Sequence, residues 1–162
     1  MSSLEAGAPA PKIELDALLP TQDEMRLSLA DMAGKWVVAY IYPKDSTPGC
    51  TVEAQEFTAL AGEFEKLGAV VWGISRDSIK AHRNFMGKNG LGVPLLSDPS
   101  LEAIKALGGW GAKKVCGKEC EGVIRSTVLV GPDGKVARRW PKASSKGHAK
   151  EVLDALRELA GK

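Results

Sequence analysis

The chain has 162 residues, 44% of them of the apolar types AVILMFWYC and 26% charged. That is the balance of one ordinary soluble globular domain, and it excludes a disordered or fibrous chain. Lysine and arginine outnumber the acids by 22 to 20, a net charge of +2, so no basic footprint points to a nucleic-acid partner.

The amino-terminal stretch MSSLEAGAPAPKIELDALLP has no basic start and no apolar core of a secretory signal, so a cytoplasmic protein is expected. Residues 1–10 read as a loose arm on a single domain spanning 1–162; no repeat, low-complexity tract or linker divides the rest. WVVAYIY (36–42) is a continuous apolar strand, as expected for one covered on both faces, and is far too short to cross a bilayer. Phe57, Leu60, Ala61 and Phe64 follow at helical spacing, and Gly68 closes that helix. AVVWGIS (69–75) is a second strand. Ser78 opens a helix that stops near Gly90, and Pro99 and Ser100 open another carrying Leu101, Ile104 and Leu107. VIRSTVLV (123–130) reads as one strand, followed by the turn GPDG and the strand KVARRW. Val152, Leu153, Leu156 and Leu159 mark a last helix. Strands interleaved with helices, then a hairpin and a final helix, predict an α/β fold with a mixed sheet and helices on both faces. Neither G-x-G-x-x-G nor G-x4-G-K-[ST] is present, which sets nucleotide binding aside.

The segment that carries chemistry is Tyr42-Pro43-Lys44-Asp45-Ser46-Thr47-Pro48-Gly49-Cys50, between the first apolar strand and the first long helix. Thr47 suits an N-cap and Pro48 the first helical position, which makes Cys50 the third helical residue. The thiol then lies beside unpaired backbone N–H groups at the positive end of the helix dipole. A free cysteine is only a few per cent ionised at neutral pH, and making its thiolate dominant takes about 2.7 kcal/mol. A helix terminus contributes only ~0.3–1 kcal/mol, so a nearby cation is required. Asp45 and Glu53, if close, oppose the thiolate. The bland alternative for Cys50 is a small buried apolar residue at a helix start. The three cysteines are too few and too odd in number for a disulfide scaffold.

The pattern of Pro43, Thr47 and Cys50 within YPKDSTPGCTVEAQEF resembles the active-site motif of peroxiredoxins, most of all the Q subfamily. The likeness extends through KIELDALLP, LADMAGKWVVAYIYPKDSTPGCT, VVWGISRDSIKAHRNF, LGVPLLSDPS, GGWGAKK and GVIRSTVLVGPDGKV, in that order. It implies a thioredoxin-like fold and a thiol-dependent peroxidase acting on hydrogen peroxide and organic hydroperoxides. Cys50 corresponds to the peroxidatic nucleophile, which is oxidised to a sulfenic acid. Thr47 corresponds to the residue whose hydroxyl meets the peroxide, Pro43 to the shield of the pocket, and Arg125 to the missing cation. On spacing alone, Arg125 reads as a surface ion-pair residue. The resemblance implies no metal and no organic cofactor, thioredoxin or another thiol as reductant, and a monomer.

One departure is informative. Many Q-type relatives carry a resolving cysteine five residues after the first, where this chain has Gln55. The other thiols are Cys116 and Cys120, in a segment that resembles a short hairpin leading to Arg125. One of them resolves the sulfenic acid, or the two bond to each other, or both are inert and an outside thiol takes over. Of the two, Cys116 is preferred as the resolving residue, because Cys120 lies nearer the strand. A zinc site from this pair and a histidine lacks an obvious fourth ligand. The family's first hydrophobic strand looks weakened here by Leu18-Leu19-Pro20-Thr21-Gln22.

Tyr40, Tyr42 and Trp110 read as packing residues, and His82 and His148 as surface or helix-end residues. Two competing functions on the same fold are a thiol–disulfide carrier, disfavoured by the lack of C-x-x-C, and a non-enzymatic redox sensor.

Overall fold

The computed structural model describes residues 5–115 and 117–161. A hairpin of β1 (Glu14–Leu18) and β2 (Glu24–Ser28) opens the fold, followed by a 3-10 turn at Leu29–Met32. Then come β3 (Trp36–Ile41), α1 (Pro48–Lys66), β4 (Ala69–Ser75), α2 (Ile79–Asn89), β5 (Leu95–Ser97) and α3 (Glu102–Ala106). The chain finishes with β6 (Trp110–Val115), β7 (Lys118–Val123), β8 (Ser126–Val130), β9 (Val136–Trp140) and α4 (His148–Ala160). Seven strands form one sheet in the order β2-β1-β5-β4-β3-β8-β9, while β6 and β7 pair only with each other. β3, β4 and β5 run parallel, and the remaining pairings of the large sheet are antiparallel. The sheet is therefore mixed, as expected from the alternation of elements.

β3 shows why its sequence is apolar throughout. Successive side chains point to opposite faces. Val38 and Tyr40 pack under α1, α2 and α4, whereas Val37, Ala39 and Ile41 pack towards α3 and the Leu29–Met32 turn. Both faces are covered, so neither needs polar residues. Tyr40 has room only because β4 carries Gly73 beside it, where a Cβ would stand 2.6 Å from the Tyr40 hydroxyl.

α1 begins at Pro48 after an extended Thr47, and its chain reverses at Gly68 with φ +74°. α2 begins after Ser78, whose hydroxyl accepts from the Ala81 N–H, and ends on Gly90 at φ +59°. α3 is shorter than its apolar spacing suggests. Leu101 sits in the left-handed region at φ +69°, and Asp98, not Pro99 or Ser100, caps the turn most closely by accepting from the Ile104 N–H at 2.7 Å.

Four other expectations need correction. Segment 123–130 is not one strand: Ile124 and Arg125 belong to none, because the Ile124 N–H donates to Gly109 and the Arg125 carbonyl accepts from Ala143. Residues 7–10 are not loose, since Gly7 donates to the Val136 carbonyl, the Val136 N–H to Ala8, and Ala10 to Gly134. The Leu18–Gln22 segment does not weaken β1, for Leu18 is fully buried and pairs with both Glu24 and Leu95. Finally, neither histidine is a surface residue. His82 is 0% and His148 2% exposed, although His148 does begin α4. Burial holds the His148 imidazole below its ordinary value, so it stays neutral while meeting the Thr127 hydroxyl at 2.7 Å.

Candidate active site around Cys50

The loop from Tyr42 to Thr47 leaves the carboxyl end of β3, in the middle of the sheet, where open α/β sheets place their chemistry. Cys50 stands at the third helical position of α1 and is 1% exposed. Glu53 lies one turn further along the same face of α1 and is fully buried. Arg125 reaches both, with Nη2 3.3 Å from the Cys50 Sγ and Nη1 2.6 Å from the Glu53 Oε1. The break between β7 and β8 makes this reach available, because residue 125 is free of sheet pairing on either side.

A single guanidinium thus faces a thiol and a carboxyl. Burial works against the Arg125 charge, but Glu53 and Cys50 outweigh it and hold the guanidinium above its ordinary value. Burial pushes the Glu53 carboxyl up to about 7, with Arg125 pulling the other way. Its Oε2 and the Tyr40 hydroxyl find no hydrogen-bond partner among the described residues. Burial, reinforced by Glu53, Asp45 and Cys50, keeps the Tyr40 phenol protonated well above its usual range.

Thr47 differs from a simple cap. Its backbone has N-cap geometry, but its hydroxyl caps nothing and donates instead to the Lys44 carbonyl at 2.9 Å. That leaves an oxygen lone pair free to accept a hydrogen bond from an O–H donor. Pro43 is half-buried at the start of the same loop. Gly49 lets the 141–147 loop and Arg125 close in, since a Cβ there would lie 3.2 Å from Arg125 Nη2 and 3.5 Å from the Ser145 hydroxyl.

Asp45 is turned to partners of its own. Its carboxylate is engaged by the Tyr42 hydroxyl at 2.6 Å and the His82 ring at 2.7 Å. Glu53 does lie close, as the sequence allows, and it shares the same cation with the thiol. His82 was missed, although a signal existed: Ile79, His82, Phe85 and Met86 fall on one face of α2 at helical spacing. Cys120 is exposed on β7, opposite Lys113, with a free thiol. Cys116, the preferred resolving candidate and a member of the zinc reading, lies outside the described residues.

A thiol in the first turn of a helix that follows a central parallel strand, faced by a half-buried guanidinium, defines a thiol redox protein of thioredoxin-like fold. Residues 6–139 match the model of the AhpC/TSA family, and the chain belongs to that family, in its peroxiredoxin Q branch. It is 44% identical over 150 residues to a protein named Peroxiredoxin Bcp from Xanthomonas campestris pv. campestris, covering 93% of this chain and 94% of the relative. It is 38% identical over 160 residues to Peroxiredoxin Bcp of Bacillus subtilis, covering 99% of each. Among solved structures, Xanthomonas campestris peroxiredoxin Q superposes with a TM-score of 0.86 at 41% identity, over 96% of this chain and 98% of the other. A Xylella fastidiosa peroxiredoxin Q mutant gives 0.88 at 35% identity, over 99% of each. Among the described residues no helix is long and apolar enough to cross a membrane.

Proposed function

We propose that the chain reduces hydroperoxides at Cys50, with Arg125, Thr47 and the helix terminus as its partners. The observation that carries this reading is the 3.3 Å approach of Arg125 Nη2 to the Cys50 Sγ at the start of α1. The Cys50 thiolate attacks the terminal oxygen of R–O–O–H, an S–O bond forms, and the O–O bond breaks. Its electron pair leaves on the distal oxygen, which takes a proton and departs as water or an alcohol. Arg125 and the unpaired N–H groups of the first turn face the charge that develops on the reacting oxygens. Thr47 accepts from the peroxide O–H, since its own proton is directed at Lys44. Pro43 screens the mouth of the pocket.

The resulting sulfenic acid is returned to the thiol by two equivalents of thiol, with loss of water. The proposed donor is thioredoxin or a similar dithiol, in the cytoplasm, acting on a monomer. Structures of a Xanthomonas campestris bacterioferritin comigratory protein, 40% identical, address alkyl peroxide reduction; by likeness, organic hydroperoxides as well as hydrogen peroxide are proposed as substrates. Because Cys50 is buried, a second thiol, whether Cys116, Cys120 or an external one, meets it only after the start of α1 or the hairpin moves.

Stopped-flow mixing with micromolar hydrogen peroxide tests the reading. The expected result is stoichiometric loss of one thiol, absent in Cys50→Ser, followed by turnover with thioredoxin. A Cys50→Ser chain that still consumes peroxide at the parent rate would overturn it. Disulfide mapping of Cys116→Ser and Cys120→Ser, made separately, then identifies the resolving thiol.

A further inference from the structure

The buried group that the chemistry above leaves unused is His82. Its Nε2 lies 2.9 Å from the Leu96 carbonyl and its Nδ1 lies 2.7 Å from Asp45 Oδ2, with the ring wholly shielded from solvent. A carbonyl can only accept, so Nε2 must carry a hydrogen. A neutral imidazole then has a bare Nδ1, which would set its lone pair against a carboxylate oxygen. The arrangement is satisfied only when the ring and Asp45 hold one further proton between them. The groups around that proton are few. The loop after β3 supplies Asp45 and Tyr42, whose hydroxyl fills Oδ1; the loop before α2 supplies Asp77, which accepts from the Asp45 N–H at 2.9 Å; β5 offers the Leu96 carbonyl; and α2 adds Phe85, which tilts against Tyr42.

Asp45 is therefore fixed through both carboxylate oxygens and its backbone. The next residue, Ser46, has φ +65°, a left-handed conformation that serine does not adopt without restraint. Thr47 and the start of α1 follow directly. We propose that His82 is a positioning residue for Cys50: the proton it shares with Asp45 clamps the strained loop that aims Thr47 and the first turn of α1 at the peroxide. The clamp ties the site to α2 and β5, elements that supply none of the residues assigned above to the reaction. This inference rests on Cys50 being the peroxide-reacting thiol.

The test compares two reactions of the same sulfur. Peroxide needs an aimed Thr47, Arg125 and helix start, whereas alkylation by iodoacetamide needs only an accessible thiolate. His82→Phe, apolar and close in size, leaves Asp45 without its proton partner. The ratio of peroxide to iodoacetamide rates at pH 7 should fall at least tenfold while far-UV circular dichroism stays native. A ratio within twofold of the parent overturns the role of His82. If Phe is not accommodated, His82→Leu, smaller and equally unable to donate to Asp45, is read by the same ratio and the same limits. A parent chain inert to peroxide would refute the reading of Cys50 itself; a reactive parent beside an unchanged variant refutes only the clamp.

Discussion

Arg125 divides its terminal nitrogens between Cys50 and Glu53, so the ionisation of one acid is felt by the other through a shared cation. Glu53 holds its proton to about pH 7, against an ordinary value of 4.5. The folded chain binds that proton more tightly than the unfolded chain. The stability it contributes is complete below about pH 4.5 and is lost as pH rises through 7. Its size is on the order of 3 kcal/mol. Urea midpoints at pH 5 and pH 8 should therefore differ more for the parent than for Glu53→Gln, which lacks this titration. Arg125→Ala strands a buried carboxyl, a loss of about 3–5 kcal/mol when ionised, so it should destabilise more at pH 8 than at pH 5. Adding Glu53→Gln should restore stability but leave peroxide reduction at least a hundredfold slow. At this scale the placing of Pro43, Thr47 and Cys50 in one loop and helix start was legible because they are neighbours in the sequence. Arg125 was not legible from spacing, since nothing local reveals a contact across 75 positions. The pairing of Asp45 with His82 was hidden for the same reason, 37 positions apart.

Helices and strands were easier to read where one local rule governs them. α1 starts where Thr47 and Pro48 say it should, and α2 lies between its serine cap and its closing glycine. The three-residue β5 was not read as a strand, being too short for any periodicity, and the interruption at Ile124–Arg125 is hidden in a run rich in β-branched residues. That interruption is what frees Arg125, so the least legible backbone feature is also the one the site depends on. Gly49 gives the element its sharpest test. Alanine is the better helix former by up to about 1 kcal/mol, but its Cβ would press within 3.2 Å of Arg125 Nη2. Gly49→Ala should melt no lower than the parent, by calorimetry, while its peroxide rate falls about tenfold. A fall in both would place the glycine in the fold and not in the site.

Across the whole molecule, the hairpin of β6 and β7 shares no ladder with the large sheet. A disulfide needs Cα atoms within about 7 Å, and Cys50 is sealed inside while Cys120 points outward from β7. Capture of oxidised Cys50 by a hairpin thiol therefore requires the start of α1, the hairpin or both to move, and we propose that α1 opens. Amide exchange over residues 48–52 should quicken on oxidation, as read by mass spectrometry, and stay unchanged in a chain whose hairpin cysteines are both serine.

The strand at the far margin of the sheet, β9, has its first residue covered by the chain's own beginning, through Gly7 and Ala8. Without that cover Val136 would present open peptide groups to any neighbour able to extend the ladder. A variant lacking residues 1–10 should show slow edgewise self-association in light scattering. If it stays monodisperse, the cover over Val136 is not what keeps other copies away.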